Sequence, residues 1–161
     1  MRAWRICKKK YVETAFSGEG AFRYGGRWNS RGLPVVYLGG NPSICALEII
    51  VNTGDWEDLY RVPYALIPVD FDDTMVSRPE RLPDDWGRDP PPLSTAEIGD
   101  HWVRSGRSVV LEVPSAVIPA ESIFILNPLH QDFPRVKIGA PQNFEFDSRL
   151  GKFAALTFTR A

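Results

Sequence analysis

The run Val35-Val36-Tyr37-Leu38-Gly39-Gly40-Asn41-Pro42-Ser43-Ile44-Cys45-Ala46-Leu47-Glu48-Ile49-Ile50-Val51 changes character within two residues. Val35 to Leu38 is β-branched and aromatic, which predicts a strand. Gly39-Gly40 breaks it. Asn41 then supplies a helix N-cap and Pro42 a preset first helical residue. The helix is expected to continue through Val51 and end by Gly54. Being apolar on nearly every side, it is expected to be buried. Glu48 is its exception, on the same face as Ile44 and Val51. A carboxylate in such surroundings costs several kcal/mol unless it is paired or hydrogen-bonded.

The obvious partner lies upstream, in Gly25-Gly26-Arg27-Trp28-Asn29. Paired glycines let another group approach the backbone closely. Arg27 brings a guanidinium suited to phosphate or carboxylate, Trp28 a flat surface, and Asn29 an amide with donors and acceptors. No Gly-Lys-Ser/Thr follows, so this is not a phosphate-loop signature. Arg27 with Glu48 reads either as a structural ion pair or as two members of a site. Tyr37 ends the strand before the helix and projects into the same neighbourhood, as a core or a site aromatic. Ser115, after Pro114 at a strand end, reads as a turn residue or a site hydroxyl.

Elsewhere the pattern predicts strands over Ala3–Cys7, Ser108–Val113, Ser122–Leu126 and Lys152–Thr159. Leu59–Phe71 reads as one long extended segment interrupted by Pro63 and Pro68. Phe133–Ile138 and Phe144–Phe146 read as a hairpin. Ser94-Thr95-Ala96-Glu97 resembles a capping box that opens a helix ending at Gly106. Thr14–Gly32 and Ser77–Pro92 read as loops, the latter a candidate lid or partner contact. Many short strands with two principal helices predict an α+β domain and no regular βαβ alternation.

A length of 161 residues with 43% hydrophobic content suits one globular domain, here taken as 1–161. The net charge of −1 lacks the basic footprint of a nucleic-acid binder, so no direct nucleic-acid contact is expected. Cys7 and Cys45 show no metal spacing and read as reduced thiols. His101 and His130 stand alone and read as structural or surface residues, and no metal is expected. Without an apolar run long enough for a signal peptide or a membrane span, the expected location is cytoplasmic.

Several blocks, in order and spacing, resemble the RES domain. They are Phe16-Ser17-Gly18-Glu19-Gly20-Ala21, Gly25 to Asn29, Val35-Val36-Tyr37, Ala46-Leu47-Glu48, and Gly99-Asp100 with Trp102. Val113-Pro114-Ser115, Leu126-Asn127-Pro128 with His130, and Phe146-Asp147 with Arg149-Leu150 complete the match, which spans about residues 4–150. The family's Arg, Glu and Ser fall on Arg27, Glu48 and Ser115, and its site tyrosine on Tyr37. The chain departs from the pattern at Ile123, where an asparagine is expected, and at Gly39, where a small hydroxyl residue is common.

The resemblance implies a fold like the ADP-ribosyltransferases, a split sheet of short strands with a cleft for NAD. It implies a toxin of a toxin–antitoxin module that cleaves the nicotinamide–ribose bond of NAD and arrests growth. The expected partner is an Xre-type antitoxin covering the site, and homodimerisation is also plausible from the family. On this reading Glu48 faces the ribose, and Arg27 clamps the pyrophosphate with Asn29 assisting. Tyr37 stacks on nicotinamide, Ser115 orients ribose or Glu48, Trp28 lies alongside, and Arg5 is a second phosphate contact. The alternatives are a protein ADP-ribosyltransferase, which Ala46 two residues before Glu48 disfavours, and a non-catalytic binding module.

Overall fold

A computed structural model describes residues 1–53 and 57–151. In chain order the elements are β1 (Arg2–Lys8), α1 (Glu19–Tyr24), β2 (Val36–Gly39), α2 (Pro42–Asn52), α3 (Asp58–Arg61), β3 (Tyr64–Asp70) and β4 (Val76–Ser77). There follow α4 (Leu93–Ser105), β5 (Val110–Pro114), β6 (Ser122–Leu126), β7 (Lys137–Ile138) and β8 (Gln142–Phe144). The class is α+β, as expected. The Lys152–Thr159 strand and the residue Gly54 lie outside the described residues.

The strands form one sheet in the order β4-β5-β6-β2-β1-β3-β7, with β8 also paired to β3. Only β4 and β5 run parallel, across the α4 crossover. The sheet is nearly two. β5, β6 and β2 are laddered together, and β1 pairs with β3 along its whole length. Between these halves β1 meets β2 only at Trp4 and Gly39. Two side chains reinforce the junction. Arg5 Nη1 donates to the Tyr37 carbonyl at 2.9 Å. The Cys45 thiol donates to the Trp4 carbonyl and accepts from the Gly39 N–H.

Alternation along the strands sorts the core by face. Phe124 and Leu126 of β6 join Val36, Leu38, Val69 and Val110 in one cluster. Ile123 and Ile125 pack on the other side with Trp28, Ile44, Trp102 and Leu111. A third cluster, with Ile6, Cys45, Leu59, Tyr64 and Phe146, seats α2 on β1 and β3.

Asn41 caps α2 as expected, its Oδ1 accepting from the Ile44 N–H at 2.9 Å, with Pro42 in the first turn. The helix is not engulfed, however. Ile44 and Cys45 are buried while Val51 is 55% exposed, because α2 lies across the sheet junction with one side open. Leu59–Phe71 is not one extended segment: α3 precedes β3. The 133–146 hairpin does not form, since β7 and β8 each pair with β3. The Thr14–Gly32 loop contains α1. Helix α4 starts at Leu93, so Ser94 is inside it, and the Thr95 hydroxyl donates to the Pro92 carbonyl at 2.7 Å. Gly106 closes it in the left-handed conformation, as expected. No helix among the described residues is long and apolar enough to cross a membrane.

Candidate active site

A cleft of about 910 Å³ opens at the junction of the two half-sheets. Its walls include Arg5 and Cys7 of β1, Tyr37 to Gly39 of β2, and Cys45, Glu48 and Ile49 of α2. Arg27 and its glycines, Pro114, Val117, and Gly87, Asp89 and Pro91 of the long loop complete it. The volume is in the range of small-molecule sites.

Glu48 reaches the cleft from the middle of α2. Its Oε1 accepts a 2.6 Å hydrogen bond from the Ser115 hydroxyl, and its Oε2 has no partner among the described residues. Ser115 is 1% exposed. Its Oγ accepts from the Val117 and Ile118 N–H groups, at 3.0 and 3.1 Å. With its proton given to a carboxylate and two donors arriving, this hydroxyl is a fixed strut.

Arg27 lines the same cleft but does not pair with Glu48. Its Nη1 donates to the carbonyls of Trp86 and Arg88, both at 2.8 Å. The structural ion pair, one of the two readings of these residues, does not form: Glu48 meets a hydroxyl at the end of β5, Arg27 the backbone of the long loop. Arg27 therefore latches the 86–91 wall of the cleft onto the glycine turn.

Tyr37 links the two sides. Its hydroxyl donates to Asn29 Oδ1 at 2.8 Å and accepts from the Trp28 N–H at 3.0 Å. Burial pushes the phenol far above its usual range, and the Trp28 N–H and then the nearby Arg27 only partly oppose this. The hydroxyl stays neutral and fully engaged, and Tyr37 borders the cleft.

Two expectations need correction. Asn29 is 1% exposed and absent from the cleft walls. Its Nδ2 donates to the carbonyls of Ala21, Ser30 and Leu33, so its amide staples the turn and has nothing left for a phosphate. Trp28 borders the cleft but is 2% exposed, packed among Ile44, Trp102 and Ile125 instead of offering an open face.

The glycine requirement is steric. A Cβ on Gly26 would sit 2.6 Å from the Tyr37 hydroxyl. At Gly39 it would meet the Cys45 thiol at 2.6 Å, so no hydroxyl residue fits there. Its cross-strand neighbour Ile123 gives that part of the cleft an apolar wall.

Asp100 was quoted in the sequence pattern but given no role. It is 5% exposed and accepts from the Ser30 N–H at 2.8 Å, tying α4 to the end of the glycine turn. An acid on the buried face of a helix was the available signal. His130 is structural: its Nδ1 accepts from the Asp132 N–H, which assigns the proton to Nε2 facing the Gly106 carbonyl. Among the described residues no group of His, Cys, Asp and Glu could hold a metal ion.

A family model described as RES domain matches residues 2–147. The chain belongs to the RES domain family. A protein named Toxin Res from Photorhabdus laumondii is 39% identical over 155 residues, covering 94% of this chain and 98% of that protein. A Prs ADP-ribosylating toxin from a Sphingobium strain is 30% identical over 152 residues, covering 91% of this chain and 94% of that protein. Among solved structures, the M. tuberculosis MbcT–MbcA toxin–antitoxin complex contains a chain that superposes with a TM-score of 0.71. It is 19% identical over 89% of this chain and 84% of its own, a likeness of fold.

Proposed function

We propose that this RES domain is the toxin of a toxin–antitoxin module and consumes NAD by breaking its nicotinamide–ribose bond. The reading is carried by one observation: a cleft in which a Glu48 carboxylate, held by Ser115 and with one oxygen open, stands with Arg27 and Tyr37. Neutral nicotinamide is a good leaving group, so the difficulty lies in the oxocarbenium-like sugar of the transition state. As the C1′–N bond breaks, its electron pair leaves with nicotinamide and positive charge grows on the ribose. Glu48 Oε2 meets that charge and accepts from the 2′-hydroxyl, while Ser115 keeps Oε1 from rotating away. The Tyr37 ring stacks on the nicotinamide. Arg27, through the N–H groups not engaged by the loop, adds positive charge toward the phosphates. Water or inorganic phosphate then donates an oxygen to C1′ and releases a proton. The chemistry asks for no metal.

Glu48→Gln should lower turnover about 10²- to 10³-fold, the scale of losing one preorganised electrostatic group, while NAD binding persists. Unchanged NAD consumption by that variant would remove Glu48 from the role. Mass spectrometry of the products, with and without phosphate, separates the acceptors: free ADP-ribose marks hydrolysis, ADP-ribose-1″-phosphate marks phosphorolysis.

The name of the Sphingobium relative favours a second reading, ADP-ribosyl transfer to a protein. Labelled NAD incubated with a cell lysate decides between them, since label retained on a protein band supports transfer. Either activity in a host cytoplasm needs restraint, and an Xre-type antitoxin seated over the cleft would supply it. The neighbour of like fold is solved with an antitoxin, which supports such a partner. A homodimer would be compatible with the same restraint.

A further inference from the structure

We propose that Glu121 and Asn41 are positioning residues that set the Glu48 carboxylate against the Ser115 hydroxyl, acting from the N-terminal end of α2. This role rests on the reading of Glu48 as the group that meets the ribose, and concerns what holds that group in place.

The side chain of Asn41 is used twice. Its Oδ1 accepts from the Ile44 N–H at 2.9 Å, which is the helix cap, and its Nδ2 donates to Glu121 Oε2 at 2.7 Å. The cap alone does not ask for asparagine, since aspartate and serine serve that position as well. Asparagine adds a separate nitrogen donor, and here it is aimed at a carboxylate 80 positions away.

Glu121 is also used twice. Its carboxylate holds Asn41, while its backbone carbonyl accepts from the Ser115 N–H at 2.9 Å. Its own N–H donates to the Ile118 carbonyl, and the Ile118 N–H ends on the Ser115 Oγ. The 115–121 turn is thus closed around the serine, and one residue of it reaches the helix cap. Beside it the Gly40 N–H donates to the Ser122 carbonyl at 2.9 Å, which keeps the two backbones together.

Helical geometry connects the two ends. Glu48 follows Asn41 by about two turns, which returns it to the same side of α2. That side meets the 115–122 segment twice, at Asn41 through Glu121 and at Glu48 through Ser115. One contact alone would let the helix pivot about it; two fix its rotation and its slide along the turn. The Asn41–Glu121 bond is charge-assisted, the stronger kind. The cleft is lined by Pro114, Ala116 and Val117 but by neither Asn41 nor Glu121, so both act through Glu48 and Ser115 and not on the substrate.

Three variants test this. N41D retains a capping oxygen but sets two carboxylates face to face. N41D/E121Q restores the bond with its direction reversed, and E121A leaves the cap of α2 untouched. NAD consumption is measured as kcat and KM. Hydrogen exchange of the Val117 and Ile118 amides is followed by NMR, since both end on the Ser115 oxygen. N41D and E121A should each lower kcat about tenfold or more with KM within about twofold, the signature of a displaced group. Their Val117 and Ile118 amides should exchange about tenfold faster. N41D/E121Q should recover most of the N41D loss in both readouts, which a lost cap or a general weakening of the fold does not do.

Wild-type kcat in E121A, or a double variant no better than N41D, overturns the proposal. So does a fall in kcat with unchanged amide exchange, since the effect would then bypass the turn. If N41D does not fold, E121A decides by the same two readouts. Where wild-type protein leaves NAD intact, the proposed function falls and the exchange data alone judge the link: equal rates in every protein overturn it, and faster rates restored in the double variant uphold it.

Discussion

Replacing Ser115 with alanine removes a donor and an acceptor at once. Glu48 Oε1 loses its 2.6 Å partner, and the N–H groups of Val117 and Ile118 lose theirs. The expected cost is about 1–3 kcal/mol of stability, read by urea unfolding. NAD consumption should fall in kcat with KM little changed, since the carboxylate is still present but no longer held. Of these residues Glu48 was legible in the sequence, because a carboxylate amid Ile44, Leu47, Ile49 and Ile50 demands a reason. Its partner was not. The upstream cation Arg27 looked right, while the true donor is 67 positions away and reaches Glu48 only once β5 is laid down. Asn29 was misread for a similar reason: its three carbonyl partners converge only when the turn has formed.

Helix α4 acts on the cleft without touching it. A Cβ on Gly99 would stand 1.7 Å from the Trp28 carbonyl, so helix and glycine turn are in backbone contact there. Asp100 bonds the same turn one residue further on. Gly99→Ala should therefore separate the two, destabilising the protein by about 3 kcal/mol or more and abolishing activity. Thermal melting and NAD consumption measure both, and a variant that melts like wild type would show that the contact can relax. Local signals served the sequence reading well where one residue decides an element, as Asn41-Pro42 does for α2 and Gly106 for the end of α4. They failed where a partner from elsewhere decides. β7 and β8 flank a plausible turn, yet each finds a better edge on β3. Helix α1, six residues beside a run of glycines, carries too little pattern to be seen at all.

At the scale of the molecule, the junction of the half-sheets also sets a pH response. Burial pushes the Cys45 thiol from its ordinary 9.0 up to about 11, with hydrogen bonding from the Gly39 N–H opposing. The folded state therefore keeps this proton longer than the unfolded chain does. Its contribution is intact below about pH 9 and is lost as the pH climbs from 9 to about 11. Denaturant titrations across that range should show stability falling, and Cys45→Ala should flatten the fall. Near neutral pH Cys45 should resist alkylation until the protein is unfolded, since the thiolate is the reactive form.

The near-division of the sheet has one more consequence. With a single register pair between β1 and β2, backbone ladders do not fix how wide the mouth of the cleft stands. The Arg5 side chain, which reaches from β1 to β2, and the Cys45 side chain of α2, which bonds both strands, do so instead. Aperture is thereby separated from architecture: exchanging two crossing residues could resize the opening while every rung on either flank stays in place.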